Sequence, residues 1–503
     1  MKKLLFVLFL SSLILLVPSC NRQTGTTAGA ARTDLNMAVT EAFTTLDPHY
    51  ITRIVDSLIV NQIYESLFLV EDDQSLTPQL AERFTVSADG LVYTFHLRRG
   101  VTFCNGDQFT ADDAVFSLER AIESPVLFAQ TELIESVRKI DDYTVEVRAR
   151  SVSALFATYV GSLAMVNHRF VQSVGDLLEV ACGTGAYVFD SQRRNISITL
   201  AANENHWRGA PPIKTLNWTV YGNAAAALIS FESGELDIIG VPSANWDTIV
   251  AQNQWTTELY PMNHTTYIMM NHEIPPFNDV RVRQAISHAI NRDDMVILAF
   301  DGLASPALTM GNPELVFGYA QNFTSFDYNP QRARQLLAEA GYPSGLELPP
   351  ILTLGGSYFE NVAVVLQDAL RNVGITTRVE LRESATYVGS VLMGDYAIGV
   401  MGVQLFPDAD AHRVIYHSNA INSSLNAARY RNPVVDELFE VGLATIDVPA
   451  RLRVYAELIE ILQRDAVYAP VFFRLVPMAH DRNLNYVHRS TASVLYRENS
   501  WRN

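Results

Sequence analysis

At 503 residues the chain is long enough for roughly two to four domains. It carries 37 Lys and Arg against 54 Asp and Glu, a formal net charge of −17, with no basic block. Nucleic-acid binders show a clustered positive footprint, so that class is disfavoured. Hydrophobic residues at 48% and aromatics at 10% exclude a disordered chain.

Lys2-Lys3 precedes an apolar run, residues 4–17, too short for a comfortable membrane span. Val17-Pro18-Ser19-Cys20 resembles a bacterial lipobox, so residues 1–19 read as a signal peptide and Cys20 as the lipid acceptor. Pro18 is unusual there, which keeps ordinary secretion as the alternative. Residues 20–33 are small and polar, a lipidated tether. No later run is long and apolar enough to span a bilayer. Of the remaining cysteines, Cys104 and Cys182, two buried free thiols are the preferred reading. A disulfide is the alternative, since an exported protein can keep one. Neither CxxC nor zinc-like Cys/His spacing occurs.

In chain order, residues 35–39 open as a strand, and Thr45-Leu46-Asp47-Pro48-His49 follows as a loop in which Asp caps and Pro fixes φ. Ile54, Leu58, Ile59, Ile63 and Leu67 recur at helical spacing. Tyr93, Phe95 and Leu97 alternate with Thr94, His96 and Arg98, a half-buried strand between turns at Asp89-Gly90 and Arg99-Gly100. After Asn105-Gly106-Asp107, Thr110 caps a helix with Asp113 at N3, a variant of the capping box. Its inward face is Ala114, Leu118, Ala121 and Ile122. Strands are expected at 144–147 and 196–200. Gly183-Thr184-Gly185 offers a GxG fragment, but no third glycine and no mononucleotide unit accompany it.

Asn278 or Asp279 caps the next helix, with Val282, Ile286, Ala289 and Ile290 inward. Asn329-Pro330 starts another, striped by Ala333, Leu336, Leu337 and Ala340 and stopped by Gly341. A helix from Val362 to Val373 ends at Gly374 and leads into a strand at 375–381. Another strand is expected at 396–401. Asn432-Pro433 and Asp447 begin two more helices. Val471-Phe472-Phe473 is a strand that returns the chain to its first lobe. Helices alternating with strands imply an α/β layer with crossover connections.

The segment LAERFTVSADGLVYTFHLRRGVTFCNGDQFTADDAVFSLER, residues 80–120, resembles the signature of extracellular solute-binding proteins of the peptide/nickel class, family 5. Leu46-Asp47-Pro48, Tyr64-Glu65-Ser66-Leu67, Gly183 to Tyr187, Asn203 to Trp207, Phe231 to Asp237 and Pro276 to Ala285 resemble further motifs of that family. The resemblance implies a two-lobed, periplasmic-binding-protein-like α/β fold (cluster C, type II) with mixed sheets, a hinge and an extra small subdomain. Lobe I would comprise 34–75, 183–264 and 477–503, with the subdomain at 76–182 and lobe II at 265–476. The implied function is a lipid-anchored, periplasmic or extracytoplasmic receptor that captures oligopeptides or dipeptides for an ATP-binding-cassette importer. Permease and ATPase would be separate chains, since no GxxxxGK[ST] occurs. A monomer without cofactor, resident metal or nucleic acid is expected. An oligosaccharide, or nickel with a chelator, is the alternative cargo. A secreted hydrolase is the rival class, but neither GxSxG nor HExxH is present. The acidic Glu235/Asp237 pair reads as capping and hinge packing.

Relatives carry a loop of the form G-W-x-A-D-Y-P-D-P, whose tryptophan lines the pocket and whose first acid pairs with a peptide amine. Here it reads Gly402-Val403-Gln404-Leu405-Phe406-Pro407-Asp408-Ala409-Asp410. It is one residue short, with Val403 for the tryptophan and Leu405 where the acid falls. A buried ammonium without a counter-charge is costly, so amine anchoring requires Asp408 or Asp410 to swing in. Capping of the following helix is the equal alternative. By resemblance the ligand-binding set is Thr52, Ile54, His264, Tyr267, Tyr358, Val403, Leu405 and Asp408. His412 and His417 share no helical face, and metal binding is not expected from them.

Overall fold

The computed structural model describes residues 32–71, 74–319, 323–489 and 495–502. The expected signal peptide, Cys20 and most of the expected tether lie outside the described residues. Among those described, no helix is long and apolar enough to cross a membrane.

One mixed sheet of eleven strands runs through both halves of the molecule. From one edge its order is Val379–Arg382, Ile351–Leu354, Ile398–Gln404, Thr256–Met270, Tyr468–His480, Ile238–Gly240, Asp34–Val39, Thr215–Val220, Ser197–Ala202 and Tyr187–Arg193, with Ala304–Pro306 beside Tyr468–His480. Thr256–Met270 and Tyr468–His480 pair antiparallel and belong to both halves. Their register breaks between Pro261↔Leu475 and Thr265↔Phe473, so residues 262–264 stand opposite Arg474 alone. Extra residues on one strand bend it locally.

The first half packs Leu35, Ile59, Ile63, Leu200, Leu216 and Trp218 around Asp34–Val39. A separate antiparallel sheet, Ala81–Val86, Val92–Leu97, Thr144–Ala149 and Ile134–Asp141, packs on helix Ala111–Glu123. Tyr93, Phe95 and Leu97 are buried together, as their alternation requires. The capping box forms: Asp113 accepts from the Thr110 backbone N–H at 2.9 Å. Ile122, expected inward, is 41% exposed. Cys104 and Cys182 form a disulfide, with Cα atoms 5.3 Å apart, which corrects the preference for free thiols. It joins the turn before the helix to the strand entry at Gly183, where Cys104 N–H also donates to the Gly183 carbonyl at 3.0 Å.

In the second half, helices Val280–Ala289, Pro330–Glu339, Pro433–Ala444 and Val448–Arg464 are capped by Asp279, Asn329, Asn432 and Asp447 respectively. Helix Tyr358–Arg371 buries Val362, Ala363, Leu366 and Leu370 against the sheet. The strand expected at 375–381 is split into Ile375–Thr376 and Val379–Arg382, which serve different sheets. Helix Ile54–Ile63 ends before Leu67, which packs into the smaller sheet's core instead.

Candidate functional site

Helix Ile54–Ile63 delivers its last turn, Asn61 and Gln62, to a cavity of about 410 Å³ between the two halves. Tyr64, Glu65, Ser66 and Phe68 continue its wall, with Gln130 and Ser162 from the smaller sheet's side. The other half contributes Asn263, at the bulge, and Gln404 to Pro407 from the loop after strand Ile398–Gln404. Asn263 Nδ2 donates to the Leu405 carbonyl at 2.9 Å, so the bulge fixes that loop. Leu495 and Arg497 close the cavity from the C-terminal segment.

Gly183-Thr184-Gly185 acts through close approach. A Cβ on Gly183 would fall 2.0 Å from the Ile63 carbonyl oxygen, and one on Gly185 2.3 Å from that of Gln62. Both glycines are therefore required for the loop to lie against the helix end. Gly185 N–H donates to the Ile63 carbonyl at 2.8 Å, a C-terminal group that the helix cannot satisfy itself. Thr184 Oγ1 donates to Glu65 at 3.0 Å. Glu65 also accepts from Trp207 Nε1 at 2.9 Å and meets His206 Nε2 at 3.2 Å. The asparagine-to-tryptophan motif thus positions a cavity carboxylate.

Of the eight residues assigned to the ligand, Leu405 lines the cavity. Val403 is 8% exposed and packs in the core with Tyr267, Ile415 and Phe439. Tyr267 is wholly buried there, its ring 4.8 Å from that of Tyr468. His264 and Tyr358 lie across the sheet from Tyr267, because Thr266 and Tyr267 alternate faces. Thr266 Oγ1 and the Tyr358 hydroxyl are 3.1 Å apart, and Gly402 leaves room for both His264 and Tyr358. Burial first, then Arg474, lowers the His264 pKa to about 4, which keeps the ring neutral. Thr52 and Ile54 are exposed at the far end of helix Ile54–Ile63. At about 1.5 Å per residue its ten residues put some 15 Å between that end and the cavity.

Asp408 takes the strongest correction. Its carboxylate accepts two 2.7 Å hydrogen bonds from Arg451 and one of 2.8 Å from the Asp410 backbone N–H, all away from the cavity lining. Asp410 accepts from the Tyr455 hydroxyl at 3.1 Å and pairs with Arg413 at 3.2 Å. Both acids are structural, with Asp408 the cap. His412 is buried against the Tyr319 hydroxyl at 2.6 Å, and His417 lies 3.6 Å from Asp436 and 3.5 Å from Glu440. No three His, Cys, Asp or Glu among the described residues converge as a metal site. Asp237 accepts from the Asn36 backbone at 2.7 Å and pairs with Arg32, bracing the first strand. Glu65 lies within the Tyr64-to-Leu67 motif, but nothing local in the sequence marks it, Gln404, Asn263 or Arg497 as cavity residues.

Two halves on one sheet, linked through a pair of long strands and enclosing a cavity of small-solute size, define a bilobal binding protein. The chain belongs to the bacterial extracellular solute-binding proteins, family 5, whose middle region matches residues 75–423. It is similar to the glutathione-binding protein GsiB of Salmonella choleraesuis, 28% identical over 475 residues, 90% of this chain and 91% of the relative. It is also similar to heme-binding protein A of Haemophilus influenzae, 26% identical, covering 93% and 94% of the two chains. HbpA2 from Haemophilus parasuis has the same fold, with a TM-score of 0.85 at 24% identity over 93% of this chain and 100% of that one. The protein is accordingly a solute-binding component of an ATP-binding-cassette importer and a binder, not an enzyme.

Proposed function

We propose that this chain captures short peptides outside the cytoplasmic membrane and delivers them to its importer's permease, tethered by lipid on Cys20 and acting as a monomer. The observation that carries this reading is the amide-rich cavity between the halves. Asn61, Gln62, Gln79, Gln130, Asn263 and Gln404 line it, and amide side chains carry both donors and acceptors, some of them already used within the wall, a chemistry that matches the alternating N–H and C=O groups of a peptide. At about 410 Å³ the cavity is at the small end of ligand sites and favours two or three residues over a long chain. Glutathione, the cargo in the name of relatives at 27–28% identity, is a solute of that size and chemistry.

In this reading lobe I is formed by residues 34–75, 183–264 and 477–503, bearing the 76–182 subdomain, and lobe II, residues 265–476, closes on it about the bulge at 262–264. Native mass spectrometry of the purified chain, followed by calorimetry with glutathione, di-alanine and tri-alanine, tests it. A retained or titrated short peptide that leaves with unchanged mass supports capture. Absence of any bound solute together with no heat from all three rejects it, and a cleaved peptide would revive the hydrolase.

A further inference from the structure

Arg497 stands apart from the rest of the cavity wall. It sits in the short turn Tyr496–Glu498, with its side chain 12% exposed and facing the cavity. Its nearest carboxylate oxygens, on Glu65 and Glu498, are 3.6 and 3.8 Å away, beyond hydrogen-bond length. The guanidinium donates no hydrogen bond to any described residue. Both neighbouring acids are already engaged. Glu65 accepts from Thr184 and Trp207 and meets His206, and Glu498 accepts from Arg489 at 2.9 Å.

The guanidinium reaches the two carboxylates only at ion-pair distance, which leaves its five N–H groups for an acceptor entering the cavity. Its planar fork matches a carboxylate bidentately. The turn that presents it is held in place: Tyr496 N–H donates to Gln62 Oε1 at 3.1 Å, and the Tyr496 ring packs edge-on to Trp218 at 5.7 Å. The fork is therefore pre-positioned. Among the described lining residues Glu65 and Arg497 alone are charged, so no second cation of the wall competes for an anion.

We propose that Arg497 recognises a carboxylate of the solute, and that the cargo is therefore a carboxylate-bearing molecule seated with its acid end against the C-terminal segment. This rests on the capture reading above and adds which chemical group is read and by which residue.

The test uses the full chain, stripped of solute by unfolding and refolding, and calorimetry with tri-alanine against tri-alanine amide and glutathione against its diethyl ester. The acid is expected to bind about tenfold to a hundredfold tighter than its neutral partner, as a charge-assisted hydrogen-bond pair implies. Arg497→Gln is expected to abolish that preference and Arg497→Lys to keep part of it. Equal affinity of the wild-type chain for acid and neutral partner overturns the inference while leaving capture intact, and it needs no variant to fold. A preference that survives in Arg497→Gln overturns it likewise. No binding of any probe by the wild-type chain overturns both readings together.

Discussion

Arg451 grips Asp408 through two parallel 2.7 Å hydrogen bonds, Nη1 to Oδ2 and Nη2 to Oδ1, with side-chain exposures of 5% and 2%. The pair ties the loop beyond the cavity wall to helix Val448–Arg464. Removing one member of such a pair strands the other charge, at a cost of about 3–5 kcal/mol. Asp408→Ala should therefore lower the urea midpoint clearly, while the folded fraction binds solute nearly as before. Replacing both with Asp408→Asn and Arg451→Met should recover part of the loss. A normal midpoint with lost affinity would return Asp408 to the cavity.

That relationship also marks the limit of what was legible beforehand. Local physics is readable: Thr110 with Asp113, Asn329 before Pro330 and the alternation of Tyr93, Phe95 and Leu97 all involve neighbours within four positions, and each forms as spelled. The loop 402–410 could be recognised as the counterpart of a ligand loop, yet the partner of its acid lies 43 residues on. Nothing in the loop tells whether Asp408 faces solvent, solute or Arg451. Ile54 fits a helical stripe but begins the helix, where no neighbouring turn covers it, and it is 70% exposed. Arg497 reaches the cavity from the opposite end of the chain, which no spacing rule can anticipate.

Acidification should unfold the protein through histidines held neutral. Burial lowers the His412 pKa to about 3, and its Nδ1 is hydrogen-bonded with the Tyr319 hydroxyl at 2.6 Å. Burial is likewise the main cause at His272, lowered to about 3, and at His49 and His264, lowered to about 4. In the unfolded chain these rings titrate near pH 6.5. Below that pH the unfolded state binds more protons than the folded one, so stability is lost as pH falls from about 6.5 towards 4 and below. His412→Asn, which can still hydrogen-bond with Tyr319, should flatten that slope by up to about 1.4 kcal/mol per pH unit. Urea unfolding at pH 7.5, 6 and 5 reads the slope, and an unchanged slope would place the titration elsewhere.

The Cys104–Cys182 bridge spans a sequence separation of 78 and closes a loop that contains helix Ala111–Glu123 and two strands of the smaller sheet, Ile134–Asp141 and Thr144–Ala149. Chain-entropy reasoning assigns a loop of this size about 4.5 kcal/mol of stabilisation. Cys104→Ser should lower the denaturation midpoint by a corresponding amount. It should also weaken solute binding modestly, because Gly183, beside Cys182, presses on the end of the helix that carries Gln62 and leads into Glu65. Since Cys182 is 2% exposed, reductant should act on the native protein slowly and on the unfolded protein at once. Thiol counts with and without urea check this, and two free thiols in the untreated protein would refute the bridge.

Phe406 couples the cavity to contact between the halves. It lines the cavity and meets Tyr159 edge-on, with ring centroids 5.8 Å apart. On the same side the Ala154 N–H donates to the Leu443 carbonyl at 2.7 Å, and Val152 and Ile446 both pack over Gly90. These groups belong to opposite sides of the cavity, so each is made only when the smaller sheet touches the second half. An edge-on aromatic pair contributes about 0.5–1.5 kcal/mol beyond its buried area. Phe406→Ala removes that pair and part of the wall, and should weaken tri-alanine or glutathione binding about tenfold or less. Tyr159→Phe keeps the ring and should bind normally. The Phe406→Ala chain should also show a larger radius of gyration by X-ray scattering at saturating solute, because the contact that holds the halves together is weaker. If Phe406→Ala loses affinity without expanding, Phe406 touches the solute alone; if it expands with affinity unchanged, closure and capture are uncoupled at this residue.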